Sequence, residues 1–177
     1  LILNVLVIIA IVYSNMMRKH SPVYILSFAT LVNDLLMIAL HLGYFAPSCA
    51  LQHWLIPSDF TASGRKILDA LLMISWYHGT LSHIVIAINR FVIVVFDKFA
   101  CFKRRQVVGI AFAQVIASIF LACMTQFIFP CCRLSLTYEF FTYTYLEISA
   151  EPNYSNMFDL PLNTIASLTP LFAYSTV

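Results

Sequence analysis

Several polar side chains lie in surroundings too apolar for them. Asn4 stands within Leu3-Asn4-Val5-Leu6-Val7-Ile8-Ile9. Asn33 and Asp34 interrupt an otherwise uncharged run. Arg90 follows Asn89 at the end of another run that also holds His78 and His83. A polar group inside hydrocarbon is costly, so an ionisable one there marks a functional position by default. Two chemistries fit Asn4, Asn33, Asp34 and His83 as an intramembrane polar network. One is a structural hydrogen bond, with Asp34 meeting a partner such as Asn4. The other is a polar switch or ion site that rearranges when helices move. At 100° per residue, His83, Gly79, Trp76 and Leu72 lie within about 40° of the direction of Arg90, so they form one stripe on a helix. On that stripe Gly79 permits the close approach of a neighbouring backbone. His78 and His83 are five apart and do not share a face, which disfavours a helical metal pair. The sequence has no nucleophile elbow, His-Glu-x-x-His, Cys-x-x-Cys or phosphate-binding glycine loop. It therefore gives no reason to expect an enzyme, a metal or a cofactor.

The elements that must position these groups are set by composition. Of 177 residues, 61% are hydrophobic and 10% charged. Soluble domains run near 45–50% and about 25%. The mean hydropathy is +0.86. Too few charges remain to cover a soluble surface. A net charge of +2 is too small to call for a polyanionic partner, so no nucleic-acid partner is expected. The solvent is membrane lipid.

A span needs about 20 mostly apolar residues. The uncharged stretches predict an all-α transmembrane bundle of about five spans, near 1–17, 23–45, 66–96, 107–129 and 160–177, forming one domain incomplete at both ends. Arg18, Lys19, Lys98, Lys103, Arg104 and Arg105 lie on one side. Arg65, Lys66 and Arg133 lie on the other, with Asp59, Glu139, Glu147, Glu151 and Asp159. By the positive-inside rule the first group is cytoplasmic and the N-terminus is outside. The sequon Asn153-Tyr154-Ser155 falls on the outer side, as glycosylation requires. Cys49, Cys131 and Cys132 also lie near that face, where Cys49 has either of the other two as a possible disulfide partner. Cys123 reads as a small packing residue within the fourth span. Asp69, Met73, Trp76 and Tyr77, in the outer half of the third span, are candidate walls of a ligand pocket. Asp69 reads equally as a solvated end charge or as a counter-ion for a cationic ligand.

The run Ser82-His83-Ile84-Val85-Ile86-Ala87-Ile88-Asn89-Arg90-Phe91, followed by Val94-Val95-Phe96, resembles the end of the third helix of rhodopsin-like seven-helix receptors. More narrowly, it is similar to the nematode serpentine chemoreceptors of class X (Srx), as is Ser27-Phe28-Ala29-Thr30-Leu31 in the second span. Asn4 with the aliphatic residues after it resembles the first-helix asparagine motif of the wider superfamily.

The resemblance implies a plasma-membrane G-protein-coupled chemoreceptor, with an extracellular small-molecule ligand and a cytoplasmic heterotrimeric G protein as partners. It implies that Asn89, Arg90 and Phe91 form the coupling switch, and that Asn4 and Asp34 belong to a polar network between the first two helices. The chain departs from the pattern in four places. Asn89 replaces the usual acidic neighbour of the arginine. Arg65 stands near the place of the usual third-helix cysteine. Asp97 stands where class X commonly has proline. About five spans stand where the family has seven, so the sequence reads as a fragment of a longer receptor. The alternatives are a transporter or channel subunit with Asp34, His83 and Arg90 along a polar path, and a non-signalling truncated receptor partner.

Overall fold

A computed structural model of the chain describes residues 1–14, 23–53, 55, 61–96, 103–129, 134–137, 142–145 and 154–175. Helix α1 is Ile2–Tyr13. Helix α2, Val23–Leu40, passes through a π-helical turn at His41–Phe45 into α3, Ala46–Leu51. Helix α4 is Thr61–Phe96, and α5, Arg104–Cys123, ends in a second π-helical turn at Met124–Ile128. Strands β1, Leu134–Thr137, and β2, Thr142–Tyr145, pair antiparallel with Leu134 opposite Tyr145. Helix α6 is Tyr154–Ser175.

Among the described residues, three helical stretches are long and apolar enough to cross a membrane: Tyr24–Leu51, Lys66–Val95 and Arg104–Ile128. These correspond to the second, third and fourth expected spans. Helix α1 is shorter, and α6 carries Asn163, Thr164, Ser167, Thr169 and two internal prolines, Pro161 and Pro170.

Several boundaries differ from the sequence expectation. The second span does not stop at residue 45. Pro47 at the start of α3 has no N–H, and its ring crowds the carbonyl four residues back. The wider π-turn just before it absorbs that crowding, so the helix continues to Leu51. The third span starts at Lys66 as expected, and its helix α4 extends five residues further back, to Thr61. At 36 residues α4 is about 54 Å long, longer than the about 30 Å of hydrocarbon it has to cross. Helix α6 begins at 154 rather than 160. The hairpin β1–β2 was not expected at all.

Helix α4 is the central element, packed against α2, α5 and α6, while α1 packs on α2. The core at the hairpin end joins Met73 and Tyr77 of α4 to Ala122 of α5, with Ile74, Leu121, Leu134 and Leu162 around them. Large apolar side chains such as Phe112, Phe120, Leu171 and Phe172 point outward, as lipid permits. Ser75, His78, Ser82 and Asn89 are buried and share one face of α4. This is not the stripe singled out by the sequence, since Trp76, His83 and Arg90 are exposed.

Candidate functional site

Polar groups gather at three levels along α4. At the hairpin end, two buried acids hold the hairpin down. Ser135 of β1 donates to Asp69 Oδ2 at 2.9 Å. Asp159 of α6 accepts from Tyr77 at 2.5 Å on Oδ1 and from Tyr145 at 2.6 Å on Oδ2. A buried carboxylate is tolerated only when donors replace its hydration, and here hydroxyl groups do so. Burial, then the hydrogen bond from Tyr145 to Asp159 and the charge of that carboxylate, push the Tyr145 hydroxyl well above the usual tyrosine range. Tyr143 is pushed up as well, first by burial and then by the charge of Asp69. Its ring stacks on Phe45 at 5.3 Å and meets His41 edge-on at 6.1 Å. The π-turn thus turns two rings toward β2. The space beneath the hairpin, between Tyr44, Asp69 and Tyr143, is only about 10 Å³.

Half-way along α4 a cavity of about 360 Å³ opens between α2, α4 and α6. Asn33, Asp34 and Met37 line it from α2, and Ser75, Trp76, Gly79, Thr80 and His83 from α4. Asn163, Ala166, Ser167 and Pro170 complete it from α6. Asn33 Nδ2 donates to the Ser75 carbonyl at 2.9 Å, fixing α2 against α4. Near the other end of α4, Ile88, Phe91, Thr169, Phe172 and Ala173 line an apolar cavity of about 230 Å³. Between them on the chain, Asn89 is buried and Arg90 is exposed.

These positions correct several expectations. Asp69 is neither a solvated end charge nor open to a ligand, because β1 covers it. Met73 and Tyr77 are core residues, so of the four proposed pocket walls only Trp76 lines the central cavity. Asp34 and His83 line that cavity too. The side chain of Asn4, half-buried on α1, makes no hydrogen bond among the described residues, and the tie made by α2 is from Asn33 to α4 rather than from Asp34 to Asn4. Gly79 admits no backbone within contact range. The nearest atom to an added Cβ is Asn33 Nδ2, at 3.6 Å. Cys49 is a free, buried thiol, so no bridge is made there, and Cys123 is exposed rather than packed. Cys131, Cys132 and Asn153 lie outside the described residues.

Sequence reading missed Asn163, Ser167 and Pro170 as cavity residues. Their spacing of four and then three puts them on one helical face, a signal that was available. The pairing of Asp159 with Tyr77 and Tyr145 had no local signal.

The family described as serpentine type 7TM GPCR chemoreceptor Srx matches residues 1–174. The chain belongs to this family. The crystal structure of squid rhodopsin superposes on the Srx chain with a TM-score of 0.70 at 16% sequence identity, covering 97% of this chain and 46% of that one. The Srx chain thus spans less than half the length of that rhodopsin, and the likeness shows a shared rhodopsin-like helical fold. Comparison with curated protein sequences finds no match. Family and fold are those of a multi-pass integral membrane receptor rather than an enzyme.

Proposed function

We propose that this Srx chain acts as a chemosensory receptor in the plasma membrane. In this reading its N-terminus is outside, it binds an extracellular small molecule, and it signals to a cytoplasmic heterotrimeric G protein. The observation that carries the reading is that one helix bears both stations. Ser75, Trp76, Gly79, Thr80 and His83 of α4 line the central cavity, and Arg90 lies two turns further along the same helix. A ligand that prefers one position of α4 shifts its population, and Arg90 moves with it. Asn89 is buried beside Arg90, and Phe91 lines the apolar cavity with Thr169, Phe172 and Ala173 of α6, so movement of this turn reaches α6.

The orientation is supported by Lys103, Arg104 and Arg105, which are exposed at the start of α5 on the Arg90 side. Basic residues oppose the dipole of a helix N-terminus, so their place there serves the membrane interface rather than the helix. The Gln106 side chain supplies the cap instead, accepting from the Lys103 N–H at 2.8 Å.

The test is Arg90→Ala, read as ligand-evoked G-protein output in cells at matched surface expression. The expected result is loss of output with ligand binding retained. Unchanged output would remove Arg90 from the mechanism.

A further inference from the structure

We propose that Lys103, Arg104 and Arg105 hold the headgroup of a polyphosphorylated inositol lipid of the cytoplasmic leaflet, with one acyl chain of that lipid laid along the outward stripe of α5 that Gly109 opens. This goes beyond the receptor reading and takes from it only the orientation of the chain.

Lys103, Arg104 and Arg105 are consecutive and exposed, and none of them has an ion-pair partner among the described residues. The acids among the described residues are Asp34, Asp69 and Asp159. Asp34 lines the central cavity, and the other two are buried under the hairpin at the opposite end of α4. The helix does not account for the cluster either, since cations in a first turn oppose its dipole. Three positive charges within one turn at the membrane surface therefore call for an anion from outside the protein. Arginine forks pair with phosphate oxygens two at a time, and lysine adds a point charge. A lone phosphodiester, with its single charge, leaves most of the cluster uncompensated. A headgroup that carries phosphate monoesters as well compensates all of it, and basic clusters next to a membrane span attract such lipids.

The same face of α5 suits an acyl chain. At 100° per residue, Gly109, Phe112 and Ile116 lie within about 40° of the direction of Arg105. All three are exposed, while Val107, Gln114 and Ser118 take the opposite, buried face. A Cβ at Gly109 would meet nothing within 4 Å, so the missing side chain leaves an open notch one turn inside Arg105. A chain that descends from a headgroup on Arg105 enters this notch and continues over Phe112 and Ile116. A soluble phosphate compound would use the charges and leave the stripe bare.

The full chain, in a neutral detergent, is titrated with phosphatidylinositol bisphosphate, phosphatidylserine, phosphatidylcholine and soluble inositol trisphosphate, and bound molecules are counted by native mass spectrometry. The bisphosphate lipid should bind more tightly than phosphatidylserine by about 10-fold or more. Arg105→Gln should weaken it about fivefold, and Arg104→Gln combined with Arg105→Gln about 25-fold. Lys66→Gln makes the same charge change at the other end of α4 and should leave binding unchanged. Gly109→Leu keeps all three charges in open surroundings, and should weaken the lipid by about threefold or more without affecting inositol trisphosphate. Lipid binding that survives the double arginine variant would overturn the proposal, as would phosphatidylserine binding equally well or Lys66→Gln matching Arg105→Gln. Inositol trisphosphate as tight as the lipid, with no effect of Gly109→Leu, would overturn it in favour of a soluble phosphate. Detergent micelles have no sides and hold no G protein, so a failure strikes the lipid site alone, and signalling stands or falls with Arg90→Ala.

Discussion

Tyr77 and Asp159, 82 residues apart, share a hydrogen bond of 2.5 Å that ties the buried face of α4 to the hairpin end of α6. Tyr145 takes the second oxygen of the same carboxylate. One aspartate thus joins a spanning helix, a second helix and a β-hairpin.

Removal of the Tyr77 hydroxyl leaves a buried carboxylate with one donor fewer. Hydrogen bonds to charged groups contribute about 1.5–3 kcal/mol, so Tyr77→Phe should destabilise by that order. Tyr145→Phe should cost less, because Tyr145 is half-buried. A double-mutant cycle with Asp159→Asn, followed by denaturant or thermal unfolding in detergent, should give a coupling of about 0.5–3 kcal/mol. Strict additivity would show that the bond contributes nothing.

The raised pKa of Tyr145 sets a pH dependence. The folded state holds this proton more tightly than the unfolded chain does. The stability it contributes is therefore complete below the ordinary tyrosine value of about 10, and is lost as pH rises above that toward the folded-state value. Unfolding measured from neutral to strongly alkaline pH should show this fall, and Tyr145→Phe should shrink it. An identical alkaline slope in the variant would refute the assignment.

At Gly79 the added Cβ of alanine would stand 3.6 Å from Asn33 Nδ2, an ordinary contact. Alanine is better than glycine in a helix by about 0.8–1.0 kcal/mol. Gly79→Ala should therefore leave stability unchanged or raise it by up to about 1 kcal/mol in a thermal melt. A clear loss would mean that α2 and α4 approach more closely than described.

Gln114 of α5 is buried with both amide atoms unpaired among the described residues. Replacement by an apolar side chain of similar size removes that desolvation cost, so Gln114→Leu should stabilise the folded chain by about 1 kcal/mol. Destabilisation of that size, in the same unfolding assay, would show that the amide is bonded.

The three helices apolar enough to span were legible because charge spacing is written along the chain: Arg18 and Lys19, Arg65 and Lys66, and Lys98 with Lys103 to Arg105 bracket them. The Asn89-Arg90-Phe91 segment was equally legible, since it is contiguous. The rotation of each helix was not. Helix α5 turns Gln114 and Ser118 inward while Phe112 and Phe120 face out, the reverse of what a soluble helix would do. Lipid is as apolar as a protein core, so hydropathy loses its power to tell the two faces apart. For the same reason the stripe of Trp76, His83 and Arg90 was readable as a stripe, but not as the exposed one.

The sequence by itself determined that this chain lives in lipid, where its central helices cross and which receptor family it joins, because these depend on composition and on contiguous motifs. Only the tertiary structure decided that Asp69 and Asp159 fasten a hairpin over the bundle, and that Asp34 lines a cavity between α2, α4 and α6. Those pairings join residues far apart in sequence. Each depends on the angle at which a helix packs, which the pattern of apolar residues in a membrane leaves free.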